Sequence, residues 1–407
     1  MGDPLYRSSI YVMASTGVMA ILGFIFWIFV ARVFSTENVG IATTLISVMA
    51  LISNFSLLGF NVSLIRYLPK SSNRDDKINS VFILVILASI ISTLIFLIGL
   101  KAFSPHLSFL QTNLFYITTF TLFVIGSSLN IIIDSIFIAY RASGNIFVKN
   151  TILSLLKLLF PFLFIFLGSY GIFTSVALAI LISSLIGSTI LLLKYDYHPA
   201  FAFNRDVVKE MAVFSGGNYI ANFLSLAPTL ILPLLIINRL SAEAAAYFYM
   251  DMMILGLLTI ISGAATQSLL AEGAYDSTQL KLHFTKASKI TFLLLIPAVI
   301  LIILFGNIIL HAFGKNYADE AFAFLQIVSV SAIFMSISSL GSSIFKIRHQ
   351  ISALIGMNAL SIIFILSFSY LFMSQGLIGI GWGWLLGQAL LAILYLIILG
   401  REILLKK

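Results

Sequence analysis

Lys157 stands among Leu155, Leu156, Leu158, Leu159 and Phe160, an ammonium group in a stretch that otherwise reads as hydrocarbon. Placing a lysine at the centre of a membrane helix costs about 2.5–3.5 kcal/mol on insertion scales. Four residues on, Pro161 has no N–H to offer the carbonyl of Lys157. The helix is therefore expected to kink there and leave a carbonyl beside the charge, which survives only against protein or a wet cavity. Asp134 is the expected partner. Apolar stretches near 114–139 and 148–168 form a hairpin turning near Ser143-Gly144, with Asp134 about nine residues before the turn and Lys157 about thirteen after it. At 1.5 Å per residue their depths differ by about 6 Å, within reach of a lysine stem. The expectation is a Lys157–Asp134 switch lining a polar cavity. The alternatives are a lysine that snorkels to the surface, or an ion pair with a purely structural role.

Arg66 sits where an apolar stretch near 39–60 meets the cytoplasm, in Asn61-Val-Ser-Leu-Ile-Arg66-Tyr67-Leu-Pro69. It is either a plain interfacial anchor or, with Asn61, a substrate ligand able to grip phosphate with its planar fork of donors. Asp251, in Tyr249-Met-Asp251-Met-Met, has no base beside it in sequence. It is a candidate carrier of a coupling proton or cation, or else a hydrogen-bonded structural acid.

Catalytic signatures are missing. His106, His198, His283, His311 and His349 are scattered singly, without metal-ligand spacing. Cysteine is absent, which removes disulfides, thiolate sites and a cysteine nucleophile. No Walker loop occurs. These features predict no cofactor, no metal and no enzymatic centre, and they leave an ion gradient, the membrane potential or the substrate gradient as the driving force.

The elements that must position these residues are membrane helices. Hydrophobic residues make up 60% of the 407 and charged ones 9%, with a mean hydropathy of +1.10, a composition outside the soluble range. The net charge of +8 lies in short gaps where anionic headgroups attract it, so a lipid bilayer and not nucleic acid is the expected partner. The leader Met1 to Ser9 is too short for a cleavable signal, and Tyr6 breaks the myristoylation pattern.

Twelve spans are expected, near 10–31, 39–60, 80–100, 114–139, 148–168, 171–193, 213–237, 244–268, 290–310, 321–345, 351–373 and 377–399. With both termini on one side, that side collects eighteen lysines and arginines: Arg7; Arg66, Lys70, Arg74 and Lys77; Arg141 and Lys149; Lys194, Arg205 and Lys209; Lys281, Lys286 and Lys289; Lys346 and Arg348; Arg401, Lys406 and Lys407. The opposite gaps hold four, Arg32, Lys101, Arg239 and Lys315. The positive-inside rule then puts both termini in the cytoplasm.

The chain also repeats. Arg32-Val-Phe-Ser35-Thr-Glu37 after span 1 matches Arg239-Leu-Ser241-Ala-Glu243 after span 7, and Ser135-Ile-Phe137 with Arg141 matches Ser343-Ile-Phe345 with Arg348. The offsets are about 206 and 208 residues. Two matches at one offset and at equivalent points of the topology favour a duplication. The expected domains are six-helix bundles over 1–200 and 201–407, joined by an interfacial linker from Lys194 to Ala212. Six spans per half give both halves one orientation and a symmetry axis along the membrane normal. Pro161, Pro228, Pro233 and Pro297 predict discontinuous helices. Gly379, Gly383 and Gly387 predict a face for close helix contact.

Ala31-Arg32-Val-Phe-Ser-Thr-Glu37-Asn-Val-Gly40, followed by Gly59-Phe-Asn-Val-Ser-Leu-Ile-Arg66-Tyr-Leu-Pro69, resembles the polysaccharide-export flippases. These Wzx-type O-antigen and teichoic-acid exporters share a superfamily with multidrug and toxin extrusion (MATE) transporters and lipid II flippases. The resemblance covers nearly the whole chain and implies an all-α, MATE-like, V-shaped bundle opening alternately to each face. It implies a prokaryotic inner-membrane protein whose cargo is a polyprenyl-pyrophosphate-linked oligosaccharide, moved to the outer leaflet for lipopolysaccharide or related polysaccharide synthesis. Family cavities are often cationic. Arg66 and Lys157 suit that, while Asp134 and Asp251 depart from it. The rivals are a cation-coupled multidrug exporter of the same fold, a membrane glycan polymerase or ligase, and a structural scaffold. The short outer gaps speak against the polymerase, and a lysine within lipid speaks against both the drug exporter and the scaffold.

Overall fold

The computed structural model describes residues 4–71, 73–275 and 279–400. Arg401, Lys406 and Lys407, assigned above to the basic side, lie outside the described residues. Among those described there are thirteen α-helices, short 3-10 turns and no strand. Eleven stretches are long and apolar enough to cross a membrane. One of them, Ser143–Lys194, has 52 residues. As a single helix it would run about 78 Å, more than twice the hydrocarbon thickness of about 30 Å. It is two helices, α6 (Ser143–Phe164) and α7 (Gly168–Lys194), turned back at Ile165–Leu167. The crossings therefore number the expected twelve, and this is a multi-pass membrane protein.

The chain divides into two compact units, Met1–Phe223 and Leu224–Lys407. In the first, α1 (Pro4–Val33) packs on α6, α6 on α7, and α7 on both α2 (Thr36–Ser56) and α5 (Leu114–Ala139). α4 (Arg74–Phe103) lies against α5. At the lysine-rich end a fully buried cluster of Leu64, Leu68, Ile78, Val81, Ile136 and Phe137 ties α3 (Phe60–Tyr67) to α4 and α5. In the second unit α11 (Lys315–Ile347) is central, against α9 (Ala242–Tyr275), α10 (Leu280–Phe313) and α13 (Gly376–Leu399). α12 (Ile351–Leu371) packs on α13. The glycine face of α13 is what lets it do so. A Cβ on Gly383 would lie 2.4 Å from the backbone nitrogen of Ser369, and one on Gly387 2.9 Å from Cα of Ile365. The two backbones are in contact.

The helix breaks fall elsewhere than the prolines predicted. α10 runs unbroken through Pro297, as does α8 (Arg205–Arg239) through Pro228 and Pro233. α6 continues three residues past Pro161. A proline removes one N–H from the ladder, and the flanking bonds hold the helix. The break is in span 2, read above as one helix over 39–60. Leu58 and Gly59 adopt positive φ, 50° and 80°, and split it into α2 and α3. Glycine reaches that region without steric cost.

Local devices recur in the two units. Ser35 caps α2 by accepting from the N–H of Asn38 (3.2 Å), and Ser241 caps α9 by accepting from that of Ala244 (3.1 Å). Arg141 after α5 and His349 after α11 both take positive φ, 55° and 57°, 208 residues apart. The 3-10 turns Ile165–Leu167 and Met373–Gln375 each lead into a left-handed glycine, Gly168 and Gly376, at the same 208-residue offset.

Candidate functional site

α5 carries Asp134 and α6 carries Lys149 and Lys157, and their pairing differs from the expectation. Asp134 does not meet Lys157. Its carboxylate lies 3.0 Å from Nζ of Lys149, which also donates to Oδ1 of Asn130 at 2.5 Å. The Lys149 side chain is wholly buried. Its stem runs through a notch left by Gly187 on α7, where a Cβ would lie 3.1 Å from Cδ of Lys149 and 2.6 Å from Ile133. Ser183 donates to the carbonyl of Lys149 (3.4 Å), and Asn150 donates to Ser15 of α1 (3.2 Å). The acid is thus neutralised by Lys149, which the pattern of gaps assigns to the inner side, and not by Lys157.

Lys157, two turns further along α6, points to α1. Its Nζ sits 4.9 Å from the ring centroid of Phe26 and 3.6 Å from where a Cβ on Gly23 would be. The ammonium lies beside Gly23, and the face of Phe26 supplies a cation–π contact. No carboxylate or hydrogen-bond acceptor among the described residues pairs with it. A cation held this way retains its capacity to bind an anion.

Arg66 and Asn61 lie on α3, beyond the break in span 2. Five residues separate them, about 140° round the helix, so they present to different faces. Arg66 is exposed, its guanidinium 5.6 Å from the ring of Tyr67. The ammonium of Lys77 lies 5.4 Å from the same ring and 3.6 Å from Glu210. Asp251, in the second unit, is fully buried, and neither carboxyl oxygen has a hydrogen-bond partner among the described residues. Burying an ionised carboxylate in that state costs far more than burying the neutral acid.

The linker after α7, expected at the membrane interface, is sewn to the first turns of α4. Tyr197 donates to Asn79, whose Oδ1 also accepts from the N–H of Ala200 (3.2 Å) and whose Nδ2 donates to the carbonyl of His198 (3.2 Å). Ser80 accepts from the N–H of Asn204 (3.0 Å), and Asp75 from that of His198 (3.2 Å). Burial, with the charge of Asp75 nearby, pushes the Tyr197 phenol up to about 12, so it remains a donor at neutral pH. No group of three or more acidic or histidine residues among those described is placed to hold a metal.

The helices are arranged as a MATE-like membrane bundle. The chain superposes on an inward-facing multidrug resistance MATE family transporter of the MOP superfamily with a TM-score of 0.73, at 16% identity over 97% of both chains. It superposes on an outward-facing structure of such a transporter with a TM-score of 0.63, at 18% identity over 100% of this chain and 97% of the other. A MATE structure in complex with MaL6 gives 0.64 at 17% identity, over 98% and 96%. The family of polysaccharide biosynthesis proteins matches residues 5–270, and the chain belongs to it. No curated protein sequence is recognisably similar.

Proposed function

We propose that the protein is a flippase that moves a polyprenyl-pyrophosphate-linked oligosaccharide from the cytoplasmic to the outer leaflet by alternating access, for polysaccharide synthesis, and that it is not an enzyme. It works in a prokaryotic inner membrane with both termini in the cytoplasm. The observation that carries this reading is Lys157, an intramembrane ammonium held against Phe26 and beside Gly23, with no acid among the described residues to neutralise it. Desolvated cations persist where they meet an anion, and pyrophosphate is the anion of this cargo. The pairing of Asp134 with Lys149 strengthens the reading, because it removes one of the two acids that gave the site a mixed charge. In this reading Arg66 and Asn61 take part in binding on the cytoplasmic side, and Asp134 holds Lys149 in place.

The test is complementation in a strain lacking its own O-antigen or teichoic-acid flippase. Lys157→Ala is expected to lower export at least about tenfold, the scale of one lost charge-assisted hydrogen bond, with Lys157→Arg retaining part of it. Full export by both variants refutes the assignment. A second reading, a cation-coupled multidrug exporter, draws on Asp251, buried and without a partner. A proton or cation carried there could drive either cargo. Drug resistance conferred by the unaltered protein and lost in Asp251→Asn, with no glycan export by the unaltered protein, decides for the second.

A further inference from the structure

A groove of about 690 Å³ runs between α9 and α10. On α9 its wall is one helical face, formed by Ile260, Ala264, Ala265, Ser268 and Glu272. The small side chains in the middle of that face create the hollow. On α10 the wall is His283, Lys286, Ile290 and Leu294, again a single face. The helices are consecutive and antiparallel, so the groove is graded: isoleucine and leucine at one end, Glu272, His283 and Lys286 at the other.

Length decides what kind of ligand fits. From Ile260 to Glu272 the helix rises about 18 Å, close to half the hydrocarbon core of about 30 Å. The groove is one leaflet deep and ends in charge where headgroups lie. Ile290 and Leu294 are more than half exposed, as are Leu293 and Leu301 beside them, so α10 turns an open apolar surface outward. Glu272, His283 and Lys286 form no ion pair with one another or with any other described side chain, which leaves two bases and an acid at one mouth.

We propose that this groove binds one membrane phospholipid with a primary-amine headgroup. Its acyl chain lies along the alanine face, its phosphodiester meets Lys286 and His283, and its ammonium donates to Glu272. A quaternary choline cannot donate to the carboxylate, and a glycerol headgroup brings it no positive charge. The site is independent of the transported cargo.

The experiment is native mass spectrometry of the full-length protein titrated with phosphatidylethanolamine, phosphatidylcholine and phosphatidylglycerol. One phosphatidylethanolamine is expected to be retained about tenfold more tightly than either of the others. Glu272→Gln is expected to abolish that preference, and Lys286→Met to weaken all three lipids. Ser268→Leu, which fills the hollow without altering charge, is expected to weaken them as well. Equal retention of the three lipids by the unaltered protein overturns the proposal. So does unchanged phosphatidylethanolamine binding in Glu272→Gln and Lys286→Met. Preferential retention of a polyprenyl phosphate in a parallel titration overturns the choice of lipid.

Discussion

At the scale of single residues, the exchange of Lys157 for Lys149 as the partner of Asp134 has a geometric cause. Measured from the turn near Ser143-Gly144, the two lysines lie about 6 Å from the depth of Asp134, on opposite sides of it. Depth along the hairpin therefore could not choose between them. The choice is made by rotation: eight residues put Lys157 about 80° round α6 from Lys149, and only Lys149 faces α5. The notch at Gly187 was the missing signal, since a glycine on α7 has meaning only when its neighbour across the interface is known. The pair makes a prediction. Removing one partner of a buried ion pair costs about 3–5 kcal/mol, and the partial exposure of Asp134, 26% of its side chain, places the loss at the lower end. Lys149→Met is therefore expected to lower the melting temperature of the purified protein markedly, and the double variant Lys149→Met/Asp134→Leu to recover most of it. A double variant no more stable than the single would show that the lysine acts through packing alone.

At the scale of elements, what was legible was what hydropathy and length dictate: twelve crossings, their approximate limits, and the contact face of α13. What escaped was backbone geometry. Proline is conspicuous in a sequence, yet Pro228, Pro233 and Pro297 leave their helices continuous, whereas Leu58-Gly59 breaks span 2 without any conspicuous signature. The break matters because it sets the direction of α3, and with it Arg66. Gly59→Val forces a β-branched residue to φ 80° and is expected to cost about 1–2 kcal/mol, read as lowered thermal stability together with lowered export. If Gly59→Val melts and exports like the unaltered protein, the left-handed turn has no bearing on Arg66. A second element-scale prediction concerns close packing. Gly383→Leu places a side chain where the backbone of Ser369 already lies, and overpacking of this kind costs about 1–3 kcal/mol or more. The loss should appear as lower melting temperature and lower yield in the membrane, with Gly383→Ala intermediate. No change in either variant would mean that α12 and α13 separate at little cost.

At the scale of the whole molecule, the distribution of charge carries an orientation that helix packing alone does not set. In the expected topology, with Lys149 set aside because it is buried against Asp134, seventeen lysines and arginines fall on one side and four on the other, and short basic loops are retained in the cytoplasm. The same basic side holds the linker that Asp75, Asn79 and Ser80 fasten to α4, so the orientation also decides which compartment can reach that strap. The absence of cysteine makes the prediction unusually clean to test, because a single introduced thiol has no background. Glu37 and Asn73 are both exposed at helix starts, on opposite sides of the expected topology. In intact cells a membrane-impermeant maleimide is expected to label Glu37→Cys and to spare Asn73→Cys until the membrane is opened. Labelling of Asn73→Cys first would invert the topology, place Arg66 on the outer side, and reverse the direction of transport proposed above. The physical asymmetry behind the expectation is large: flipping the protein would bring thirteen more basic residues to the outer side than the outer gaps hold in the expected topology. At about 1 kcal/mol for each basic residue near an anionic surface, that difference outweighs the local preference of any single loop.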